Sequence, residues 1–295
     1  MNNKKAVVLM AVYNEQEYID EAIQSFLLQK NVNATLVVID DLSEDNTFQI
    51  AKKYESEKVV VLKNTKKGKN NAYNLGFEMV KGDYYCFFGG DDILTENSIN
   101  SRVAAISQSK NKKVALKSRI VTFSKNKKFD GVIIPKNNRK GNNSGGAVMI
   151  SNELANGVFP IPISLPNEDA WTGLHIDNFA KEIIVIDDIV LKYRIHAGNS
   201  VGISANFETR TKKINSRRKV FRLFLDSYSD VLNTSEIQRL SSIIKLENYR
   251  FHGDFFSVLF KNKASMKDKI AAIFHMNATL YKIKNLMYKI ITGLR

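Results

Sequence analysis

The sequence predicts an α/β fold: a mostly parallel central sheet with helices on both faces, followed by a mostly helical, basic C-terminal extension. Three observations carry this reading. Short continuous apolar runs alternate with segments of helical period through the first hundred or so residues. Polar residues cluster directly after three of those runs, and positive charge collects in the last third of the chain. Continuous apolar strands alternating with amphipathic helices indicate right-handed βαβ units, whose sheet is covered on both sides.

Taken in order, Lys5–Ala11 (KAVVLMA) is the first strand, and Ile19, Ala22, Ile23, Phe26 and Leu27 then recur at helical spacing. Thr35–Ile39 (TLVVI) is the second strand, ending in Asp40-Asp41, with a helix expected from about Thr47 to Tyr54. Val59–Leu62 is the third strand; a Lys/Gly/Asn turn leads to a helix through Ala72–Val80, and Tyr84–Phe88 (YYCFF) is the fourth strand. From about residue 114 the pattern is mixed. Strands near Val114–Phe123 and Val148–Ile150 flank a loop rich in Pro, Asn and Gly at 135–146. Glu168–Phe179 reads as a helix, Ile183–Ile186 and Val190–Tyr193 as strands, and 206–295 as mostly helical.

Composition narrows the function classes. The chain has 295 residues, 44% apolar and 25% charged, which suits one large folded domain with an appendage and argues against disorder. The single cysteine, Cys86, can form no intramolecular disulfide and no thiolate zinc cluster, in keeping with a reducing compartment. The basic start MNNKK precedes an apolar run too short for a signal peptide, and no stretch approaches the ~20 apolar residues that span a bilayer. Net charge is +14, of which residues 206–295 supply +11 (18 basic against 7 acidic) and residues 1–205 only +3 (26 against 23). An acidic partner of the tail therefore need not touch the chemistry of the front.

The polar clusters Tyr13–Glu15, Asp40–Asn46 and Gly89–Asp92 follow the carboxyl ends of strands one, two and four, the edge where open α/β sheets bind ligands. Asp91 and Asp92 suit a hard divalent cation completed by phosphate oxygens, and Gly89-Gly90 lets backbone approach a ligand; the plainer alternative is capping of the next helix. Asp40-Asp41 can cap a helix or accept from a nucleobase or ribose. No G-x-G-x-x-G follows the first strand, which disfavours dinucleotide binding, and KKGKNN at 66–71 lacks P-loop spacing. That turn either brings Lys67 or Lys69 to a phosphate or stands as a solvated basic turn. Gly145-Gly146 is either a simple turn or a place where a sugar nears the backbone.

AVYNEQEYIDEAIQSFLLQ, VIDDLSEDNT, GKNNAYNLGFEMVKGDYYCFFGGDD, NSGGAVMIS, NEDAW and YRIHAGNS stand in the order found in family 2 glycosyltransferases, and residues 5–202 resemble that family. The resemblance implies the Rossmann-like GT-A fold over residues 1–205, with 206–295 as the basic helical region. It implies that Ala11, Val12 and Tyr13 line a nucleobase pocket, that Glu15 lies near the ribose, and that Asp41 accepts from uracil. Lys69 and Gly146 are assigned to the nucleotide sugar, Asp91 to ribose and metal geometry, and Asp92 and His196 to a divalent metal, Mn²⁺ or Mg²⁺. Asp169 is the implied general base. The implied activity is inverting, metal-dependent transfer from a UDP-sugar to a saccharide hydroxyl in bacterial surface polysaccharide synthesis, on a lipid-linked acceptor at the cytoplasmic face of the cell membrane. Two departures stand out: Gly90 replaces the first carboxylate of the commoner D-x-D motif, and TGLHIDNF after NEDAW lacks a basic residue that family members often carry.

In the last helix Met276, Leu280, Ile283, Met287, Ile290, Ile291 and Leu294 form one stripe with Lys282, Lys284 and Lys289 off it. This is either a core-packing helix with a solvated face or an interfacial helix drawn to anionic lipid. A nucleic-acid-binding protein is disfavoured, because aromatic residues do not interleave with the basic ones and no recognition motif is visible. A sugar-nucleotide synthase lacks support from any glycine-rich N-terminal triphosphate loop.

Overall fold

The computed structural model describes residues 4–137, 139–196 and 206–292, with 288–292 described by backbone alone. The chain divides into two compact units, Met1–Asn199 and Ser200–Arg295. The expected boundary after residue 205 and the motif residues Ala197–Ser200 lie outside the described residues.

In the first unit the elements run β1 (Lys5–Val12), α1 (Ile19–Leu27), β2 (Asn33–Asp40), α2 (Thr47–Lys52), β3 (Val59–Lys63), α3 (Lys69–Met79), β4 (Tyr84–Phe87), β5 (Ile93–Leu94) and α4 (Ser98–Ile106). They continue with β6 (Val114–Phe123), β7 (Ile133–Ile134), β8 (Val148–Ser151), α5 (Asn152–Val158), α6 (Asp169–Phe179) and β9 (Glu182–Arg194). All of these strands join one sheet in the order β3-β2-β1-β4-β8-β6-β9-β5, with β7 on β6.

The half built from β3, β2, β1 and β4 is parallel, as expected from the alternation of strands and helices. The other half departs from that expectation. β8 is antiparallel to both β4 and β6, β7 to β6 and β5 to β9, so the sheet is mixed. The physical reason is that an apolar run reports burial and not direction; direction is set by the connection, and a loop without a crossover helix leads from β6 towards β8. The two short strands expected at 183–186 and 190–193 are one strand, β9, parallel to β6 with a register shift near Arg119.

The core explains the placement of the site. β1 is nearly solvent-free from Ala6 to Met10, Leu36–Ile39 of β2 are fully buried, and Tyr84–Phe88 are at most 8% exposed. Full burial of each aliphatic side chain is worth about 1.5–3 kcal/mol relative to exposure, so these strands form a rigid floor. Cys86 is buried within it and free. Phe88 N–H donates to the Leu9 carbonyl and Asp41 N–H to the Val12 carbonyl, which extends the parallel pairing past the strand ends and fixes the loops that follow.

The second unit is helical: α7 (Phe207–Tyr228), α8 (Thr234–Phe251), α9 (Phe255–Phe260), α10 (Met266–Ile273) and α11 (Ala278–Thr292). Leu246, Val258, Ala272 and Met276 form its buried cluster, with Leu280 packed against it. The sequence stripe is therefore divided. Met276, just before α11, is core and Leu280 packs against it, whereas Ile283 and Met287 are 43 and 45% exposed; Ile290, Ile291 and Leu294 fall outside the described side chains. Among the described residues no helix is long and apolar enough to cross a membrane.

Candidate active site

Because β1, β2 and β4 are parallel neighbours, their carboxyl ends open on one edge, and the loops Tyr13–Glu15, Asp41–Asn46 and Gly89–Asp92 meet there. Asn14 and Leu42 hold left-handed backbone conformations, φ 54° and 60°, at the first turns of two of these loops. For Leu42 this is an uncommon conformation of the kind found near binding sites.

Asp41 is 7% exposed. Gly68 N–H donates to both of its oxygens at 2.7 and 3.0 Å, and Asn64 Nδ2 donates to Oδ1 at 2.7 Å. The carboxylate is thus pinned through Oδ1, leaving Oδ2 as its less occupied acceptor. Its neighbour Asp40 is fully buried and turned the other way, with Oδ2 taking the Ser43 N–H and Oδ1 without a hydrogen-bond partner. Tyr13 is 38% exposed, and Lys67 Nζ lies 3.6 Å from its ring centroid, a cation–π contact on a face large enough to take a flat ring. Ala11 and Val12 end β1 beside it, and Glu15 follows, its carboxyl pushed up to about 7 by burial and by the charges of Asp91 and Asp45.

At the end of β4 the two glycines have specific causes. A Cβ on Gly90 would lie 2.6 Å from Val12 Cγ1, and one on Gly89 2.8 Å from Asp92 Oδ2 and 2.9 Å from Asp91 Oδ1. The space over Gly90 is filled by the protein's own Val12, so this glycine does not open a gap for a ligand as the sequence suggested. The same contact leaves no room at position 90 for the carboxylate of the commoner motif.

Both aspartates turn oxygens towards one point over Gly89. Asp92 is 5% exposed, and burial first and Asp91 second push its carboxyl well above the usual carboxylate range. Two adjacent carboxylates in so little water favour a cation, so the residues present fit a divalent metal. Among the described residues no cluster of three His, Cys, Asp or Glu side chains forms a metal site, so substrate and water oxygens would complete the coordination. His196, expected on the metal, places Nε2 3.1 Å from Asp91 Oδ2.

Sequence reasoning missed Arg194. Its backbone N–H donates to Asp92 Oδ1 at 2.9 Å and its Nε–H to the Asp91 carbonyl at 2.6 Å, while its Nη2 pairs with Glu21. The guanidinium stacks over Tyr18 and Phe123 at 4.7 and 4.3 Å. One residue at the end of β9 therefore braces both aspartates. Tyr193 beside it was missed as an assignment too; burial and the charges of Asp92, Asp91 and Asp169 push its hydroxyl up to about 12.

Asp169 opens α6. Gly145 N–H donates to its Oδ1 at 2.8 Å and Asn167 Nδ2 to its Oδ2 at 3.1 Å. Burial and the adjacent Glu168 nevertheless push its carboxyl up to about 6, against the pull of Lys69 and these donors. Glu168 is 3% exposed and pairs with Lys69 Nζ at 3.0 Å. Burial alone would lower the Lys69 ammonium's affinity for its proton, but Glu168, Tyr73 and Asp169 outweigh it and raise that affinity, although 45% of the side chain still reaches solvent. Lys69, expected at a phosphate, is thus engaged with Glu168 beside Asp169. Gly146 is set by packing: a Cβ there would lie 2.7 Å from Leu191 Cδ2, and its carbonyl accepts from the buried Arg102.

The family model for glycosyl transferase family 2 matches residues 7–156. The poly(ribitol-phosphate) beta-N-acetylglucosaminyltransferase TarP of Staphylococcus aureus is 37% identical over 103 residues, 32% of this chain and 31% of that one. The chain's matches span about a third of the length of such curated relatives. Among solved structures, S. aureus TarS 1-349 in complex with UDP-GlcNAc aligns over 94% of this chain and 82% of its own with a TM-score of 0.62 at 18% identity. The mannosyltransferase PcManGT from Pyrobaculum calidifontis, in complex with GDP-Man and Mn²⁺, aligns over 97% and 88% with a TM-score of 0.56 at 16% identity. These likenesses show a shared fold over nearly the whole chain. By the family match, the sheet and the motif order together, this chain belongs to glycosyl transferase family 2.

Proposed function

We propose that the chain is an inverting, metal-dependent glycosyltransferase that moves a sugar from a UDP-sugar to a hydroxyl of a saccharide acceptor. The observation that carries this is the meeting of a pinned acceptor carboxylate, Asp41, an adjacent pair, the buried Asp92 and the partly exposed Asp91, and a separately held carboxylate, Asp169, around one sheet edge.

Asp41 Oδ2 accepts the imide N–H of uracil, and Tyr13 stacks on the ring once Lys67 gives way, with Ala11 and Val12 beside it. Glu15 and Asp91 hold the ribose. Asp92 and Asp91 would hold a divalent ion, Mn²⁺ or Mg²⁺, which supplies charge neutralisation for the leaving diphosphate, and His196 orients Asp91 through its Nε2 contact. Asp169 takes the proton of the acceptor hydroxyl. The acceptor oxygen bonds to the anomeric carbon from the side opposite the diphosphate, the bond from that carbon to the diphosphate oxygen breaks, and UDP departs with inverted configuration at the sugar. Asp169 with a value near 6 is ionised at neutral pH yet basic enough to assist. Lys69 serves this base through Glu168, and Gly146 shapes the turn that supplies the Gly145 N–H.

The likeness to TarP, a poly(ribitol-phosphate) beta-N-acetylglucosaminyltransferase, supports a role in bacterial surface polysaccharide synthesis. The acceptor is lipid-linked, and the basic second unit holds the enzyme against the anionic cytoplasmic face of the cell membrane.

Calorimetry with UDP, with and without Mn²⁺, tests the proposal on the wild type and Asp92→Asn. Metal-dependent UDP binding lost in the variant is expected. Tight DNA binding with no UDP binding would overturn it.

A further inference from the structure

The second unit carries an apolar feature that the donor and acceptor chemistry does not use. α9 is the six-residue segment FFSVLF, and one side of it is anchored: Ser257 is 2% exposed and Val258 is fully buried in the cluster with Leu246, Ala272 and Met276. Its start is capped by Asp254, whose side chain accepts the Ser257 N–H at 3.0 Å. Its end is held by Lys269, whose Nζ donates to the Leu259 carbonyl at 2.7 Å. The turn beyond is fastened by Asn262, which accepts from Ala264 N–H and donates to the Ser242 carbonyl.

The other side of this fixed segment faces water. Phe255, Phe256 and Phe260 are 50, 61 and 71% exposed, and Phe251 just before them is 41% exposed. The rings of Phe256 and Phe260 pack together at 4.9 Å, and Lys261 Nζ lies 5.9 Å from the Phe256 ring. Exposed apolar residues scattered singly need no explanation, but an anchored segment presenting three exposed phenylalanines with a lysine beside them does. Lys261, Lys263 and Lys267 are exposed nearby, whereas Asp254 is taken up in capping and Asp268 pairs with the Ser265 hydroxyl.

We infer that α9 is a membrane-inserting knuckle: Phe255, Phe256 and Phe260 enter the boundary between headgroups and acyl chains of an anionic bilayer while the surrounding lysines hold lipid phosphates. Charge selects this occupant. Residues 206–295 carry 18 basic and 7 acidic residues, so an anionic surface attracts them at every approach, while a second copy brings the same excess and is repelled. Buried apolar area and electrostatic attraction together give stable interfacial binding where either alone is marginal. The inference rests on the membrane part of the proposed function and identifies the contact, which is distinct from the stripe on α11.

The test uses the full chain and vesicles of phosphatidylcholine with or without phosphatidylglycerol. The wild type is expected to sediment with the phosphatidylglycerol vesicles, and the triple variant Phe255→Ser, Phe256→Ser, Phe260→Ser to lose at least ~10-fold in partitioning, with UDP affinity and circular dichroism unchanged. The Phe256→Trp variant is expected to shift its emission to the blue and to be quenched by brominated lipid. Lys261→Glu, Lys263→Glu, Lys267→Glu should weaken binding to the anionic vesicles in particular. A wild type that ignores vesicles would remove the membrane reading itself. A triple variant that binds as well as wild type, or a Phe256→Trp variant that binds vesicles with its emission unshifted, would overturn the knuckle alone. A self-associated wild type made monomeric by the three serines would overturn it too, in favour of a second copy.

Discussion

Glu168 lies between two charges of opposite consequence: its carboxylate is 3.0 Å from Lys69 Nζ, and the next residue along the chain is Asp169. Burial raises the Asp169 carboxyl most, Glu168 adds to this by repulsion and Lys69 opposes it by attraction, so the pair adjusts the pH at which Asp169 ionises. With Asp169 near 6, transfer should rise with pH through that value as the carboxylate ionises. Removing the negative neighbour in Glu168→Gln should move this limb to lower pH, by about one unit, and Lys69→Met should move it higher. The pH profiles of kcat/KM for the two variants check the pair; an unmoved limb in Glu168→Gln would reject it.

Asp169→Asn keeps the shape of the side chain and removes the basic oxygen. Calorimetry should find UDP affinity unchanged, because Asp169 touches Gly145 and Asn167 and not the nucleotide loops. Transfer to an acceptor should fall about 10²–10⁴-fold, the usual contribution of a positioned base. Full activity in this variant is the result that would refute the assignment.

Asp41 depends on being an acceptor twice over, for Gly68 N–H and for Asn64 Nδ2. Asp41→Asn places an amide against one of these donors and removes the charge that strengthens the rest. Loss of one such hydrogen bond costs about 1.5–3 kcal/mol, so UDP binding should weaken ~10-fold or more, with a lower melting temperature in the apo-protein. Unchanged UDP affinity would mean that the base sits elsewhere.

Gly90 is where the sequence departs from the commoner metal motif, and Val12 is the reason. Gly90→Asp would press a Cβ to within 2.6 Å of Val12 Cγ1, so the restored carboxylate should destabilise the fold by about 1–3 kcal/mol. Trimming the contact in Val12→Ala, Gly90→Asp should recover most of that loss in thermal denaturation. If Gly90→Asp alone melts like the wild type, Val12 is not what excludes the carboxylate.

The parallel half of the sheet was legible because every strand from β1 to β4 is an unbroken apolar run followed by a helix or a turn. β8 is a short apolar run and β6 one interrupted by Lys117-Ser118-Arg119, and nothing local says that β8 runs against both neighbours, since that depends on a loop whose Pro, Asn and Gly content reports only a turn. Asp91, Asp92, Asp41 and Asp169 were legible as carboxylates at strand or helix ends. Their settings were not: Asp169 is tuned by a lysine 100 positions earlier, and Asp92 is braced by a backbone N–H 102 positions later. The exposed phenylalanines of α9 were not legible, because six residues give too little period to separate the anchored side from the exposed one.

Arg194 offers the sharpest check on that long-range bracing. Its backbone N–H to Asp92 is kept in a lysine variant, which therefore isolates what the side chain adds: the bond from Nε to the Asp91 carbonyl, the pair with Glu21, and the stack between Tyr18 and Phe123. Arg194→Lys keeps the charge but has no Nε–H in that position and no flat face to stack. If the side chain fixes the Asp91 backbone, and with it the angle between the two carboxylates, Mn²⁺-dependent UDP binding should weaken ~10-fold while metal-independent UDP binding and the melting temperature change little. Equal losses with and without Mn²⁺ would instead make Arg194 a general support of the β9 end, and wild-type affinity in both conditions would show that Arg194's backbone N–H alone is sufficient.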